Sequence, residues 1–191
     1  TALIAPLAAE TFDRPTLARL MASALDFPVP LVRLADDLFV LELFHGPTLA
    51  FKDFGARTMA RWLAAVTGPG DAGQPLTVLV ATSGDTGGAV AQAFHGVAGT
   101  RVVVLYPQGR VSRVQEVQFT TLGGNVRAVA VEGTFDDCQR LVKAAFADAA
   151  LRAAHHLTSA NSINIGRLLP QMSYYASAVL QLPVEAPPPE I

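Results

Sequence analysis

A chain of 191 residues, of which 51% are hydrophobic and 16% are charged, can bury a sizeable core and is therefore not intrinsically disordered. The formal net charge of −2 gives no clustered basic surface for phosphates, and no apolar run approaches the roughly 20 residues of a membrane helix, so we expect neither nucleic acid nor a membrane as a partner. The single cysteine, Cys138, excludes a disulfide framework and a cysteine metal cluster, and it fits a reducing cytoplasm. We expect Cys138 to be a small core residue and predict no metal site.

The first clear pattern along the chain is a helix that follows Lys52. Its apolar residues recur at helical spacing, which indicates ordinary amphipathic packing against the core. The segment 67–75 that follows is rich in glycine and proline, so it is the best candidate for a linker between subdomains. The predicted apolar stripe consists of Phe51, Phe54, Met59, Trp62 and Val66.

Strands and helices alternate beyond this linker. Apolar, β-branched runs predict buried parallel strands at residues 76–81, 101–106 and 126–131. Helical patterns follow them at residues 87–97, 112–122 and 135–147. Such alternation predicts an α/β fold with an open, mainly parallel sheet and flanking helices.

The ends of these elements carry further signals. Thr134 is a suitable N-cap for the third of these helices, because Asp136 and Asp137 would occupy its first turn. A short fourth strand is expected near residues 156–159, before a last helix at residues 165–182. The proline-rich segment 182–191 cannot continue that helix.

The first predicted strand leads into a glycine-rich turn, ATSGDTGG at residues 81–88. Such a turn directs backbone N–H groups and the positive end of a helix dipole toward one point, which would make an anion site. The glycines do not follow the dinucleotide pattern GxGxxG, and no lysine follows them as in a P-loop. A purely structural turn, in which the hydroxyls of Ser83 and Thr86 cap the helix, explains the same residues.

Lys52 is the second candidate for chemistry. Only Lys52 and Lys143 are lysine among the fourteen basic residues. The apolar and aromatic residues of HGPTLAFKDFGAR, residues 45–57, would partly desolvate the amine, and desolvation favours the neutral form that acts as nucleophile or base. Arginine cannot form an imine, so imine chemistry would explain why position 52 carries a lysine. The alternative is that Lys52 is a solvated surface charge.

Together the two motifs resemble the threonine synthases, pyridoxal-phosphate enzymes with the tryptophan-synthase-β type of fold. The resemblance continues through YPQGRVS at residues 106–112, TLGGNV at 121–126 and SANSINIGR at 159–167, and covers about residues 27–182. It implies pyridoxal 5′-phosphate as cofactor and a reaction in which O-phospho-L-homoserine and water give L-threonine and phosphate. It implies a cytoplasmic enzyme, and it leaves open whether the enzyme is a monomer or a homodimer.

The resemblance also implies roles for single residues. Lys52 matches the lysine that holds the cofactor as a Schiff base and moves protons. The glycine loop matches one that lies over the cofactor ring and receives the substrate α-carboxylate. Asp85 stands where many relatives carry Asn near the ring hydroxyl, so a direct contact there would need a shared proton. The implied cofactor contacts are Lys52, Ser83, Asp85 and Thr86, and the implied substrate contacts in the loop are Ser83, Gly84, Thr86 and Gly87.

Two more implied substrate contacts lie at the start of the last helix. Asn164 and Arg167, spaced N-x-x-R, resemble residues that hold the substrate phosphate. A helix cap and a surface arginine are the alternative interpretation of the same two residues.

Members of the family that this chain resembles are much longer, and we find no match to their second glycine-rich loop after Leu182. We therefore expect an internal fragment that binds the cofactor weakly and turns over little substrate. Its expected parts are residues 1–75, the N-terminal part of a large cofactor-binding domain with the Schiff-base lysine; residues 76–160, a small α/β domain; and residues 161–191, a helix returning toward the rest of the large domain and a proline-rich end.

Two other functions would use the same residues. Serine or threonine dehydratases and cysteine synthases share the lysine and the loop, although their lysine motifs do not usually carry HGPTLAFKD. A catalytically silent α/β module for binding or oligomerisation is the second alternative.

Overall fold

The computed structural model describes residues 1–67, 74–161 and 164–183 of the chain. Before Lys52 it contains two helices and an antiparallel hairpin, none of which the sequence patterns had predicted. The longer helix has a simple cause: the Asp13 carboxylate accepts a hydrogen bond from the Thr16 N–H at 2.8 Å, and Pro15 lies in the first turn. These elements are α1 (Ala5–Ala8), α2 (Arg14–Ala24), β1 (Leu31–Arg33) and β2 (Phe39–Leu41).

Four parallel strands form the central sheet: β3 (Leu76–Ala81), β4 (Thr100–Pro107), β5 (Val126–Val131) and β6 (Leu157–Ser159). Their order is β5-β4-β3-β6, so β3 lies between β4 and the short β6. Val78, Val80, Val102 and Val104 are fully buried, as expected of parallel strands that are covered on both faces. The sheet confirms the predicted fold class, and β3 and β5 have the predicted bounds.

Helices cover the sheet and connect its strands: α3 (Lys52–Thr67), α4 (Asp85–Phe94), α5 (Arg113–Thr120), α6 (Phe135–Ala147), α7 (Ala149–His155) and α8 (Ile165–Gln181). The predicted N-cap of α6 is confirmed, because Thr134 and Asp137 exchange hydrogen bonds in a capping box. The sequence patterns had missed α7, a short helix whose own cap is Asp148.

The buried face of α3 differs from the predicted apolar stripe. Phe54 and Met59 are buried as predicted, but Phe51 and Val66 are 41% and 60% exposed. The buried face is instead built around small residues, because α3 packs closely against α4 and α8. A Cβ at Gly55 would lie 2.7 Å from the backbone carbonyl oxygen of Arg167 in α8, so only glycine permits this approach.

Other predictions concern the linker, the chain end and Cys138. Most of the predicted linker 67–75 and most of the terminal segment 182–191 lie outside the described residues. Cys138 is fully buried in the core between α6 and the sheet, where burial raises the pKa of its thiol. Among the residues that the structure describes, no helix has both the length and the apolar character needed to cross a membrane.

Candidate active site

Lys52 is the first residue of α3, and a buried carboxylate shapes the loop before it. Asp53 is fully buried and accepts hydrogen bonds from the Thr48 N–H at 2.9 Å and from the Thr48 hydroxyl at 2.7 Å. Burial raises the pKa of Asp53, and the bonds from Thr48 act in the opposite direction. A Cβ at Gly46 would overlap the Asp53 side chain, so the loop closes tightly around this carboxylate.

The Lys52 amine makes an ion pair with the glycine loop. Its Nζ lies 3.1 Å from Asp85 Oδ2 and 4.7 Å from the centre of the Phe51 ring, and the Lys52 side chain is 22% exposed. The other oxygen of Asp85 accepts a hydrogen bond from the Gln115 amide of α5. The structure therefore brings together Lys52 and Asp85, two of the predicted site residues, and adds Gln115.

Thr82 organises the glycine loop, although sequence analysis had not singled it out. Its hydroxyl is buried, accepts hydrogen bonds from the N–H groups of Gly84 and Gly87 at 2.9 and 2.8 Å, and donates to the Gly84 carbonyl. Two amides of the predicted anion site are therefore already used inside the protein.

Three further backbone donors belong to the loop. Within the described part of the chain, the amides of Ser83, Asp85 and Thr86 have no recorded acceptor. They lie at the first turn of α4, where the helix dipole favours an anion. The loop is thus both a structural turn, through Thr82, and a set of amide donors.

Asn164 and Arg167 have different environments at the start of α8. The Asn164 side chain caps the helix, accepting from the Gly166 N–H at 2.9 Å and donating to the Ser159 carbonyl at 3.0 Å. Arg167 is only 2% exposed, so the alternative of a surface arginine is wrong. Its Nη1 donates to the Ala160 carbonyl at 2.6 Å, while its Nε is buried without a partner among the described residues. Burial lowers the pKa of the Arg167 guanidinium, as expected where a charge lacks water.

A cleft of about 460 Å³ has three of the predicted site residues, Lys52, Thr86 and Arg167, in its lining. Its described lining includes three cationic side chains and no carboxylate, so it favours an anionic ligand. Asn161 and Lys143 are new additions to the site. The predicted site residues that are not part of that lining are Ser83, Gly84, Asp85, Gly87 and Asn164. The lining consists of Phe51, Lys52, Ala81, Thr86, Phe135, Gln139, Val142, Lys143, Asn161, Arg167, Leu168 and Gln171.

These residues fit pyridoxal phosphate. The cofactor needs an amine for its aldehyde, and the cleft offers the amine of Lys52. The other cations of the lining and the N-terminus of α4 suit the anionic groups of a substrate bound to that cofactor. The buried guanidinium of Arg167 is incompletely paired among the described residues, and an anion in the cleft would balance its charge. The cleft has the volume usual for a cofactor site.

The family model described as "Pyridoxal-phosphate dependent enzyme" matches residues 24–182. The chain belongs to this family. Family membership confirms pyridoxal phosphate as the expected cofactor, and a structure similar to this chain, "PLP bound Threonine synthase from Brucella melitensis", has a TM-score of 0.83 at 40% identity, covering 95% of this chain and 40% of that one.

Relatives within the family confirm the resemblance to threonine synthases. A threonine synthase of Serratia marcescens is 57% identical over 177 residues, which cover 93% of this chain and 40% of that protein. The crystal structure of threonine synthase from Escherichia coli has a TM-score of 0.89 at 50% identity, covering 96% of this chain and 42% of that one. The chain thus spans about 40% of the length of the curated relatives that it matches.

Proposed function

We propose that this chain carries the Schiff-base lysine and part of the substrate site of a threonine synthase, which converts O-phospho-L-homoserine and water into L-threonine and phosphate. The observation that carries the proposal is the buried, incompletely paired guanidinium of Arg167 in the same cleft as Lys52. A phosphorylated amino acid would supply the missing anion, and a phosphate leaving group needs such donors. Relatives that are 57% identical and named threonine synthase support the same assignment.

Each residue of the cleft has a part in this proposal. Bound pyridoxal phosphate supplies an electron sink for the bonding electrons of the substrate Cα–H bond. Lys52 Nζ would hold the cofactor, and as a free amine it would take one proton from Cα and one from Cβ and return protons at Cγ and Cα. Arg167 and Asn161 stabilise the phosphate as it leaves Cγ, before the oxygen of water adds at Cβ.

The glycine-loop amides that lack an acceptor among the described residues suit the other end of the substrate. The N–H groups of Ser83, Asp85 and Thr86 and the dipole of α4 would hold the substrate α-carboxylate, with the hydroxyls of Ser83 and Thr86 beside it. In this proposal residues 76–160 form the small domain, and residues 1–75 and 161–191 belong to the larger one.

The same fold also occurs in enzymes of other specificity. A threonine deaminase from Solanum lycopersicum has a TM-score of 0.57 at 17% identity, a likeness that shows the fold alone. A deaminase-like substrate carries no phosphate, so the cationic lining that includes Arg167 and Lys143 favours the phosphorylated substrate.

The test is a comparison of ligands on the 191-residue chain. We expect O-phospho-L-homoserine to bind more tightly than L-homoserine in calorimetric titrations with pyridoxal phosphate present, and Arg167→Met to remove at least about tenfold of that affinity without affecting L-homoserine. Arg167→Lys, which keeps the charge, should retain part of the preference, and melting temperatures show whether each variant folds.

The lysine and the reaction are tested separately. Borohydride reduction followed by peptide mapping should place the cofactor on Lys52 and not on Lys143. Phosphate and threonine formation from O-phospho-L-homoserine are measured beside ammonia formation from L-serine. Equal affinity for the phosphorylated and unphosphorylated ligands, or cofactor shared evenly between the two lysines, would contradict the proposal.

A further inference from the structure

We infer that Gln115 is a positioning residue for the Lys52 amine, acting through Asp85. Gln115 lies on α5, a separate helix from those that carry Lys52 and Asp85. Its amide donates to Asp85 Oδ1, while Asp85 Oδ2 lies 3.1 Å from Lys52 Nζ. The two oxygens of one carboxylate are therefore divided between the glutamine and the lysine. The inference deepens the proposed function, because it concerns the amine on which that function rests.

A hydrogen bond from Ser112 fixes the orientation of the Gln115 amide. Its Oε1 accepts a hydrogen bond from the Ser112 hydroxyl at 2.8 Å, so its Nε2 is the end that faces Asp85. The reverse orientation would place an amide oxygen against a carboxylate oxygen, which is repulsive. Ser112 is also the N-cap of α5, so this orientation is tied to the start of the helix.

Gly84 makes room for the glutamine. A Cβ on Gly84 would overlap the amide of Gln115, and the φ of 150° at Gly84 is one that other residues rarely adopt. Glycine is therefore needed at position 84 for two reasons, the backbone conformation and the space that the Gln115 amide occupies. The loop and α5 fit together so that the glutamine reaches the carboxylate directly.

Without Gln115, Asp85 would be held weakly. The Asp85 side chain is 45% exposed. An ion pair between an exposed carboxylate and a flexible lysine stabilises a single side-chain conformation only weakly. The hydrogen bond from Gln115 removes much of the freedom of the carboxylate to rotate toward water. It thereby fixes where the Lys52 amine lies before it meets the cofactor.

The experiment measures the reactivity of Lys52 in the absence of cofactor and substrate, so its result is independent of the proposed reaction. The chain has two lysines, and trace acetylation followed by peptide mass spectrometry gives the ratio of Lys52 to Lys143 labelling within one molecule. At neutral pH, Asp85→Asn should raise this ratio about threefold, because it removes the carboxylate that holds the Lys52 amine in a partly exposed ion pair. Gln115→Met, a variant of similar length without a donor, should raise it about twofold.

A double-mutant cycle separates positioning from a general structural effect. If Gln115 acts through Asp85, Gln115→Met should change nothing further in a chain that already carries Asp85→Asn. Gln118→Met is the matched control, because Gln118 lies on the same helix and donates to the Thr48 carbonyl at 3.3 Å; it should leave the ratio unchanged. Gln115→Asn, whose amide is one methylene too short, replaces Gln115→Met should the latter fail to fold.

The inference is overturned by an unchanged or lower ratio in Gln115→Met, by an equal rise with and without the Asp85→Asn substitution, or by the same rise in Gln118→Met. A rise that vanishes once Asp85→Asn is present supports it. None of these outcomes depends on whether the chain acts on O-phospho-L-homoserine.

Discussion

After β3 the chain enters α4 through a loop built around the buried Thr82 hydroxyl, whereas after β6 it enters α8 through a turn capped by the Asn164 amide. Both junctions border the cleft that contains the Lys52 amine. At each junction, one polar side chain accepts hydrogen bonds from the backbone, and a second side chain lines the cleft. This second side chain is Thr86 in the first junction and Arg167 in the second. The two junctions differ in burial, because the hydrogen bonds to the Thr82 hydroxyl are buried, whereas the hydrogen bond to the Asn164 amide oxygen is only partly buried.

Thr82→Val should produce the largest loss of stability in this comparison. The variant keeps the shape of the side chain but leaves the buried N–H groups of Gly84 and Gly87 without an acceptor, which should cost about 3 kcal/mol of the free energy of unfolding. Urea unfolding measures the change. Thr82→Ser is the control, because it keeps the hydroxyl and should lose much less. Equal losses in the two variants would show that the methyl packing, and not the hydroxyl, stabilises the loop.

The role of Thr82 in the loop could not be predicted from local sequence patterns, whereas several helices and strands could. The strands β3 and β5 and the helix α6 were predicted with the observed bounds, because β-branched runs and the Thr134 cap are local signals. The helix α2 also has a local signal, Asp13 followed by Pro15, which could have revealed it.

The site depends more on contacts between distant residues. Lys52 could be selected from its neighbours in the chain, but its partner Asp85 is 33 residues away, and Gln115 lies a further 30 residues along. No rule of sequence spacing predicts that residues 52, 85 and 115 are in contact. The burial of Arg167 likewise follows from the close packing of α8 on α3 at Gly55, which a helical pattern alone does not specify.

Asn164→Ala tests the second junction and should have a smaller effect. Loss of a helix cap should lower the free energy of unfolding by about 1 kcal/mol, and Asn164→Ser, which keeps a capping oxygen, should restore most of it. Calorimetric titration with O-phospho-L-homoserine adds a second measurement, in which Asn164→Ala should weaken binding less than Arg167→Met does. A loss of affinity as large as that of Arg167→Met would instead assign Asn164 a direct contact with the phosphate.

The junction between β5 and α6 provides a structural reference, where the effect of a substitution on stability should be the smallest and should disappear in acid. Hydrogen bonds from Thr134, above all the one from its backbone N–H, together with Arg140, lower the pKa of Asp137 from 3.8 to about 2. Because the folded pKa is depressed, the stabilisation is complete above pH 3.8 and is lost as the pH falls through about 2. The difference in free energy of unfolding between the natural chain and Asp137→Asn should therefore shrink across this range.

Asp136→Asn is the matched control for this titration, because Asp136 lies in the same first turn and has no recorded hydrogen bond among the described side chains. Asp136→Asn keeps the Asp137 cap, so it should leave the contribution of Asp137 to the pH dependence of the free energy of unfolding in place. If Asp137→Asn retained a constant deficit down to the lower pH, the cap would stabilise α6 through a hydrogen bond that does not need the charge. The exposed junction would then resemble the buried one at Thr82, where a neutral hydroxyl is the acceptor.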